Sequence, residues 1–73
     1  MQLKVKNLGG VIIPIDVEAS YTIEKLKEKI EEKEGIPPAQ QRLIFAGKPM
    51  SENKTVADYK LTAGCTIHLV LAL

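Results

Sequence analysis

Seventy-three residues, 45% hydrophobic and 26% charged, make one domain with an ordinary globular balance, too short for a second lobe and too apolar for a disordered chain. Ten Lys or Arg against nine Asp or Glu leave a net charge of +1, which argues against a nucleic-acid binder working through general phosphate attraction. The lone Cys65 excludes an internal disulfide, no apolar run is long enough to span a membrane, and no secretory segment stands near Met1, so a soluble protein of the cytosol or nucleus is expected.

Gln2 to Asn7 alternates, with Met1, Leu3 and Val5 on one face and Gln2, Lys4 and Lys6 on the other, which predicts a half-buried strand. Leu8-Gly9-Gly10 supplies the positive φ angles of a hairpin loop. The return strand, Val11 to Val17, points Ile13, Ile15 and Val17 inward and Ile12, Pro14 and Asp16 outward. Pro14 has no amide hydrogen to give to a ladder, so this strand belongs at the sheet edge.

Thr22 is placed to cap a helix whose Ile23, Leu26 and Ile30 recur at helical spacing, with Gly35 as its stop and Pro37-Pro38 preventing resumption. The other helix positions, Lys27 among them, read as a solvated charged face with opposite charges three apart at Lys25/Glu28 and Lys29/Glu32. Gln40 to Phe45 predicts a third strand with Leu43 and Phe45 inward and Arg42 and Ile44 outward, turned by Ala46-Gly47 into a short strand over Lys48 to Met50. Val56 to Tyr59 suits one helical turn.

After the Ala63-Gly64 turn, Thr66 to Leu73 is the longest apolar run and therefore a central strand. Ile67, Leu69 and Leu71 take one face, His68, Val70 and Ala72 the other. The order predicts an α+β domain: a mixed sheet of four to five strands with one main helix packed on one face.

Catalytic constellations are missing. A phosphate-binding loop needs glycine where Arg42 stands and Ser or Thr where Pro49 stands. Cys65 and His68, three apart on an extended chain, point to opposite faces and make a poor nucleophile and base. They are also too few to hold a metal, and the carboxylates are concentrated between Asp16 and Glu34, mostly on the helix, without a cleft. Neither an enzyme nor a cofactor is expected.

What remains is the sheet face away from the helix. Strand parity gathers Ile44, His68 and Val70 there, with Leu8 able to lean in from the hairpin loop, Gly47 at the neighbouring turn, and Lys6, Arg42 and Lys48 around the rim. An apolar island in a basic ring suits a protein partner held with roughly micromolar affinity, because three or four small apolar contacts must first offset the cost of association.

Along the whole chain, and without gaps, the stretches MQLKVK, EKIEEKEGIPPAQQRLIFAGK and TVADYKLTAGCTIHLVLAL resemble the ubiquitin family. That resemblance implies a β-grasp fold with strand order 2-1-5-3-4. It also implies that Leu8, Ile44, His68 and Val70 correspond to the family's main recognition patch, and Ile36, Leu71 and Leu73 to its second apolar patch. Family members are monomeric modifiers carried by activating and conjugating enzymes and ligases to a target lysine, and read by ubiquitin-binding modules.

Ala72 and the ending HLVLAL, with Glu28, Glu31 and Glu32 in the helix, resemble the cullin-modifying Rub or Nedd type. In that family the residue matching Ala72 is read by the activating enzyme, and Lys6, Lys27, Lys29, Lys33 and Lys48 match chain-acceptor lysines, Lys48 best. Val11 and Ala63 stand where two other acceptors would be. The family's Arg-Gly-Gly ending lies beyond Leu73, so as it stands the chain is not expected to be conjugated. The resemblance therefore leaves two readings: a modifier lacking its tail, or a non-conjugated ubiquitin-like domain of a larger protein that docks on ubiquitin receptors or the proteasome.

Overall fold

The computed structural model describes residues 1–72; Leu73, assigned above to the second apolar patch, lies outside the described residues. Strands β1 (Gln2–Lys6) and β2 (Ile12–Asp16) form the opening hairpin, followed by helix α1 (Ile23–Glu34), a 3-10 turn over Pro38–Gln40, β3 (Gln41–Phe45), β4 (Lys48–Pro49) and β5 (Thr66–Leu71). The five strands form one mixed sheet in the order β2-β1-β5-β3-β4, parallel only between β1 and β5. This is the β-grasp order, with the apolar last strand at the centre.

Both sheet edges carry a proline, and the register explains how each is accommodated. Pro14 sits opposite Lys4, whose N–H is turned the other way to donate to Cys65 O at 2.9 Å. The Pro14 nitrogen therefore faces solvent, where no ladder bond is lost. Pro49 is opposite Ile44, while the next residue, Met50, donates its N–H to Leu43 O at 2.9 Å. The Pro49 nitrogen thus faces outward as well.

Alternation holds in the core. Leu3, Val5, Ile13, Ile15, Leu43, Ile67 and Leu69 from the sheet pack against Ile23, Leu26 and Ile30 of α1, all buried. Met1 departs from the expected inward face: its side chain is exposed, and its amino group instead donates to Val17 O at 2.8 Å.

The helix starts and stops where its caps dictate. Thr22 Oγ1 accepts the Lys25 N–H at 3.1 Å, while the Ile23 and Glu24 N–H groups donate to Lys54 O and Glu52 O. The donors that a helix start leaves open are thus satisfied, two of them by a loop thirty residues downstream in sequence order. Gly35, at φ +75°, closes the other end in the left-handed conformation. The charged face, however, is not uniformly solvated, because Lys27 is buried against Glu52. Lys25/Glu28 and Lys29/Glu32 form no ion pair; among the described residues only Lys27 and Glu52 come within 4.0 Å. Exposed pairs gain too little in water to hold two long side chains together.

Turns deviate in two places. In the first hairpin only Gly10 has positive φ, since the Asn7 carboxamide accepts the Val11 N–H and the Gly10 N–H bonds back to Asn7 O, holding a three-residue loop. Val56 to Tyr59 forms successive turns rather than a helical turn: the Lys60 N–H reaches Ala57 O, and Lys60 itself adopts φ +55°, which ends any helical continuation.

Candidate functional site

Register across the sheet assembles the outer face. Ile12 pairs with Lys6, Lys6 with His68, His68 with Ile44, and Ile44 with Pro49. These five residues therefore form one row crossing all five strands on the face opposite α1. Val70 stands in the adjoining row, paired with Arg42. Ile44 and Val70 are half-buried by their neighbours, while Lys6, Arg42 and His68 are exposed. The expected group of Ile44, His68 and Val70 with Lys6 and Arg42 is thus brought together.

The turn beside it is tight. Ala46 and Gly47 have φ of +55° and +79° between the paired residues Phe45 and Lys48, a two-residue connection of the mirror-image type. Gly47 meets that requirement without strain; Ala46 does not. Lys48 is exposed at the end of this turn and pairs with Phe45, one position off the row that runs through Ile44 and Pro49.

Leu8 is 76% exposed, and the structure sets it in the wall of a groove of about 200 Å³ with Ile36, Leu69, Leu71 and Glu34. The structure thus groups Leu8 with Ile36 and Leu71, the residues assigned to the second apolar patch. Leu71 is 49% exposed although it shares parity with Ile67 and Leu69. Ile36 is half-buried, and its carbonyl accepts from Gln41 Nε2 at 2.8 Å. Gln41 also donates to Lys27 O at 2.9 Å, so one buried amide holds both the segment after the helix and the helix itself against the first residue of β3. Sequence reading gave Gln41 no role, although its strand parity with Leu43 and Phe45 is the signal that points it inward.

Ala72 is half-buried, and its N–H donates to Gln40 O at 2.7 Å, extending the β3–β5 pairing past the strand end. The backbone at this position is therefore held to the sheet. The lysines differ in access: Lys6, Lys33 and Lys48 are exposed, Lys29 is half-buried, and Lys27 is buried with its Nζ donating to Glu52 Oε1 at 2.9 Å.

Cys65 lies just before β5, not within it, and its Sγ is 3.4 Å from both the hydroxyl and the backbone nitrogen of Thr62. These contacts, the hydroxyl first, hold the thiol below its ordinary value of 9.0. His68 stays in the outer-face row with Lys6 and Ile44 as its cross-strand neighbours.

The Ubiquitin family model matches residues 3–73. Over all 73 residues the chain is 52% identical to the Ubiquitin-like protein NEDD8 of Dictyostelium discoideum, covering 95% of that protein. It is 51% identical to Ubiquitin-like protein 1 of Schizosaccharomyces pombe and 49% to the NEDD8-like protein RUB3 of Arabidopsis thaliana, in each case over the full chain and 94% of the relative. A five-stranded sheet grasping one helix and a match that spans both ends of the fold lead to one conclusion: this chain belongs to the ubiquitin family.

Proposed function

We propose that the chain is a Rub- or Nedd-like protein modifier, joined to target lysines through a C-terminal extension ending in diglycine and read by its partners on the outer sheet face. In such a cascade an activating enzyme adenylates the terminal carboxylate, releasing pyrophosphate from ATP. An enzyme thiol then displaces AMP to form a thioester, and a lysine amine displaces the thiol to leave an isopeptide bond. The modifier contributes no catalytic group. It supplies a rigid platform, a tail in defined position, and a surface to be read.

Ala72 is the observation that carries the Rub-type reading. A small apolar side chain on a backbone pinned to Gln40 O presents no charge to an activating enzyme, so an enzyme built to pair a cation there loses its contact. Identity of about half the residues to NEDD8-type relatives supports the same reading. Cullin-like targets and work in the cytoplasm and nucleus belong to this proposal.

Extending the chain with Arg-Gly-Gly and assaying thioester formation tests it. Charging by the Rub-type activating enzyme is expected, with Ala72→Arg moving the preference toward the ubiquitin-activating enzyme. Charging by the ubiquitin enzyme alone removes the assignment. Charging by neither favours the alternative, a non-conjugated ubiquitin-like domain that docks a larger protein on ubiquitin receptors or the proteasome.

A further inference from the structure

Among the described residues, the last bond holding the end of the chain to the sheet runs from the Ala72 N–H to Gln40 O, at 2.7 Å. Gln40 is the last residue of a 3-10 turn, not of a strand. On β3 the Leu43 carbonyl points to β4, where it accepts the Met50 N–H, so the alternate residues Arg42 and Gln40 turn their backbone groups toward β5. Gln41, between them, gives its N–H to Pro38 O instead. The hold on Ala72 is therefore only as firm as the turn that presents Gln40 O.

That turn is short of donors. Pro37 and Pro38 have no N–H, and apart from the two bonds that close the turn, Gln40 N–H to Pro37 O and Gln41 N–H to Pro38 O, its bracing comes from a side chain. The Gln41 Nε2 donates to Ile36 O at 2.8 Å and to Lys27 O at 2.9 Å, in a residue only 2% exposed. One carboxamide thus ties the residue before the two prolines to α1. Its Oε1 is buried with no hydrogen-bond partner among the described residues. A buried acceptor left alone costs free energy that offsets much of what the two donations contribute, so the amide adds little net stability. What it fixes is the place of the turn.

Resting on the reading of the chain as a modifier with a C-terminal extension, we infer that Gln41 is a positioning residue for that extension. By bracing the turn it fixes Gln40 O, and through the Ala72 N–H it sets the point at which the tail leaves the sheet. Without the brace that point moves back to Val70, which is paired with Arg42. Leu71 and Ala72 then join the free arm, which lengthens by about 7 Å when extended. An arm grown from about four residues to about six lowers the effective concentration of the terminal carboxylate at an enzyme already holding the platform by about twofold, and the lost direction adds to this. The carboxylate itself is unchanged. The loss therefore falls on KM and not on kcat.

Gln41→Met keeps the length of the side chain while removing both donations and the orphaned acceptor. Thioester formation is measured on the chain extended with Arg-Gly-Gly, and amide exchange on the 73-residue chain. In Gln41→Met, KM for the activating enzyme should rise about two- to fourfold at unchanged kcat, and the Ala72 amide should exchange about fivefold faster while Ile67 holds. The melting temperature should stay within about 3 °C of the parent. Ala72→Pro deletes the donor itself, so adding Gln41→Met to it should raise KM no further, whereas a merely structural amide would add its own effect. An unchanged KM, an unchanged Ala72 exchange rate or additive effects in the double variant each overturn the positioning role and leave the modifier reading standing. A parent chain that no activating enzyme charges removes the modifier reading and this role with it. If Gln41→Met does not fold, Gln41→Leu takes its place, and failure of both shows a purely structural amide and overturns the inference.

Discussion

Lys27 Nζ lies 2.9 Å from Glu52 Oε1, with the lysine side chain 7% exposed and the glutamate 53%. The pair closes because the Ile23 and Glu24 N–H groups of the helix start bond to Lys54 O and Glu52 O, which parks Glu52 one turn from Lys27. Glu52→Gln removes the counter-charge from a buried ammonium, and stability should fall by about 1–2 kcal/mol, less than for a fully buried pair because Glu52 is half in water. Denaturant melts check this. The same burial ranks the lysines: brief acetylation read by mass spectrometry should modify Lys6 and Lys48 well before Lys27.

Ala46 occupies the left-handed region at φ +55° in the turn before Gly47. Asparagine tolerates that conformation better, so Ala46→Asn should stabilise the chain by about 1 kcal/mol. Gly47→Ala at φ +79° should destabilise it by about the same amount. Equal melting temperatures for all three proteins would show the turn to be unstrained.

Cys65 should alkylate more readily than an ordinary thiol. The Thr62 hydroxyl and then the Thr62 N–H stabilise the thiolate, so the pH midpoint of iodoacetamide labelling should lie below 9.0. Thr62→Val deletes the larger of these contacts and should move the midpoint back up.

Asp58 predicts an acid-dependent loss of stability. Its carboxylate accepts the Thr55 N–H at 2.8 Å, and this bond first, then the Thr55 hydroxyl and the Lys54 charge, holds the group below 3.8. A folded-state value below the unfolded one adds stability that is present above pH 3.8 and lost as the pH falls through the folded value. Thermal melts of the parent chain and Asp58→Asn should therefore differ at neutral pH and converge in strong acid. A gap that persists or widens in acid would contradict the assignment.

Local chemistry made much of the fold legible. Pro14 can sit only where a missing N–H does no harm, Gly35 ends a helix because it adopts φ +75° without strain, and strand alternation separated Ile13 and Ile15 from Ile12. Lys27, Gln41 and the turns at Val56 to Tyr59 were not legible. Lys27 reads as solvated and Gln41 has no visible partner until a distant loop and a helix carbonyl close on them, and that closure depends on partners 25 and 14 residues away.

The sequence by itself determined the alternation that sends Leu3, Val5, Ile13, Ile15, Ile67 and Leu69 to one face of the sheet and Ile12, Ile44 and His68 to the other, because a two-residue period on strands is written into neighbouring residues. Only the tertiary structure decided which of them stand together. Placing Ile12, Lys6, His68, Ile44 and Pro49 in one row required five strands to pair in a fixed register, and register is set by the packing of the buried face beneath them, not by any of the five residues that the row displays.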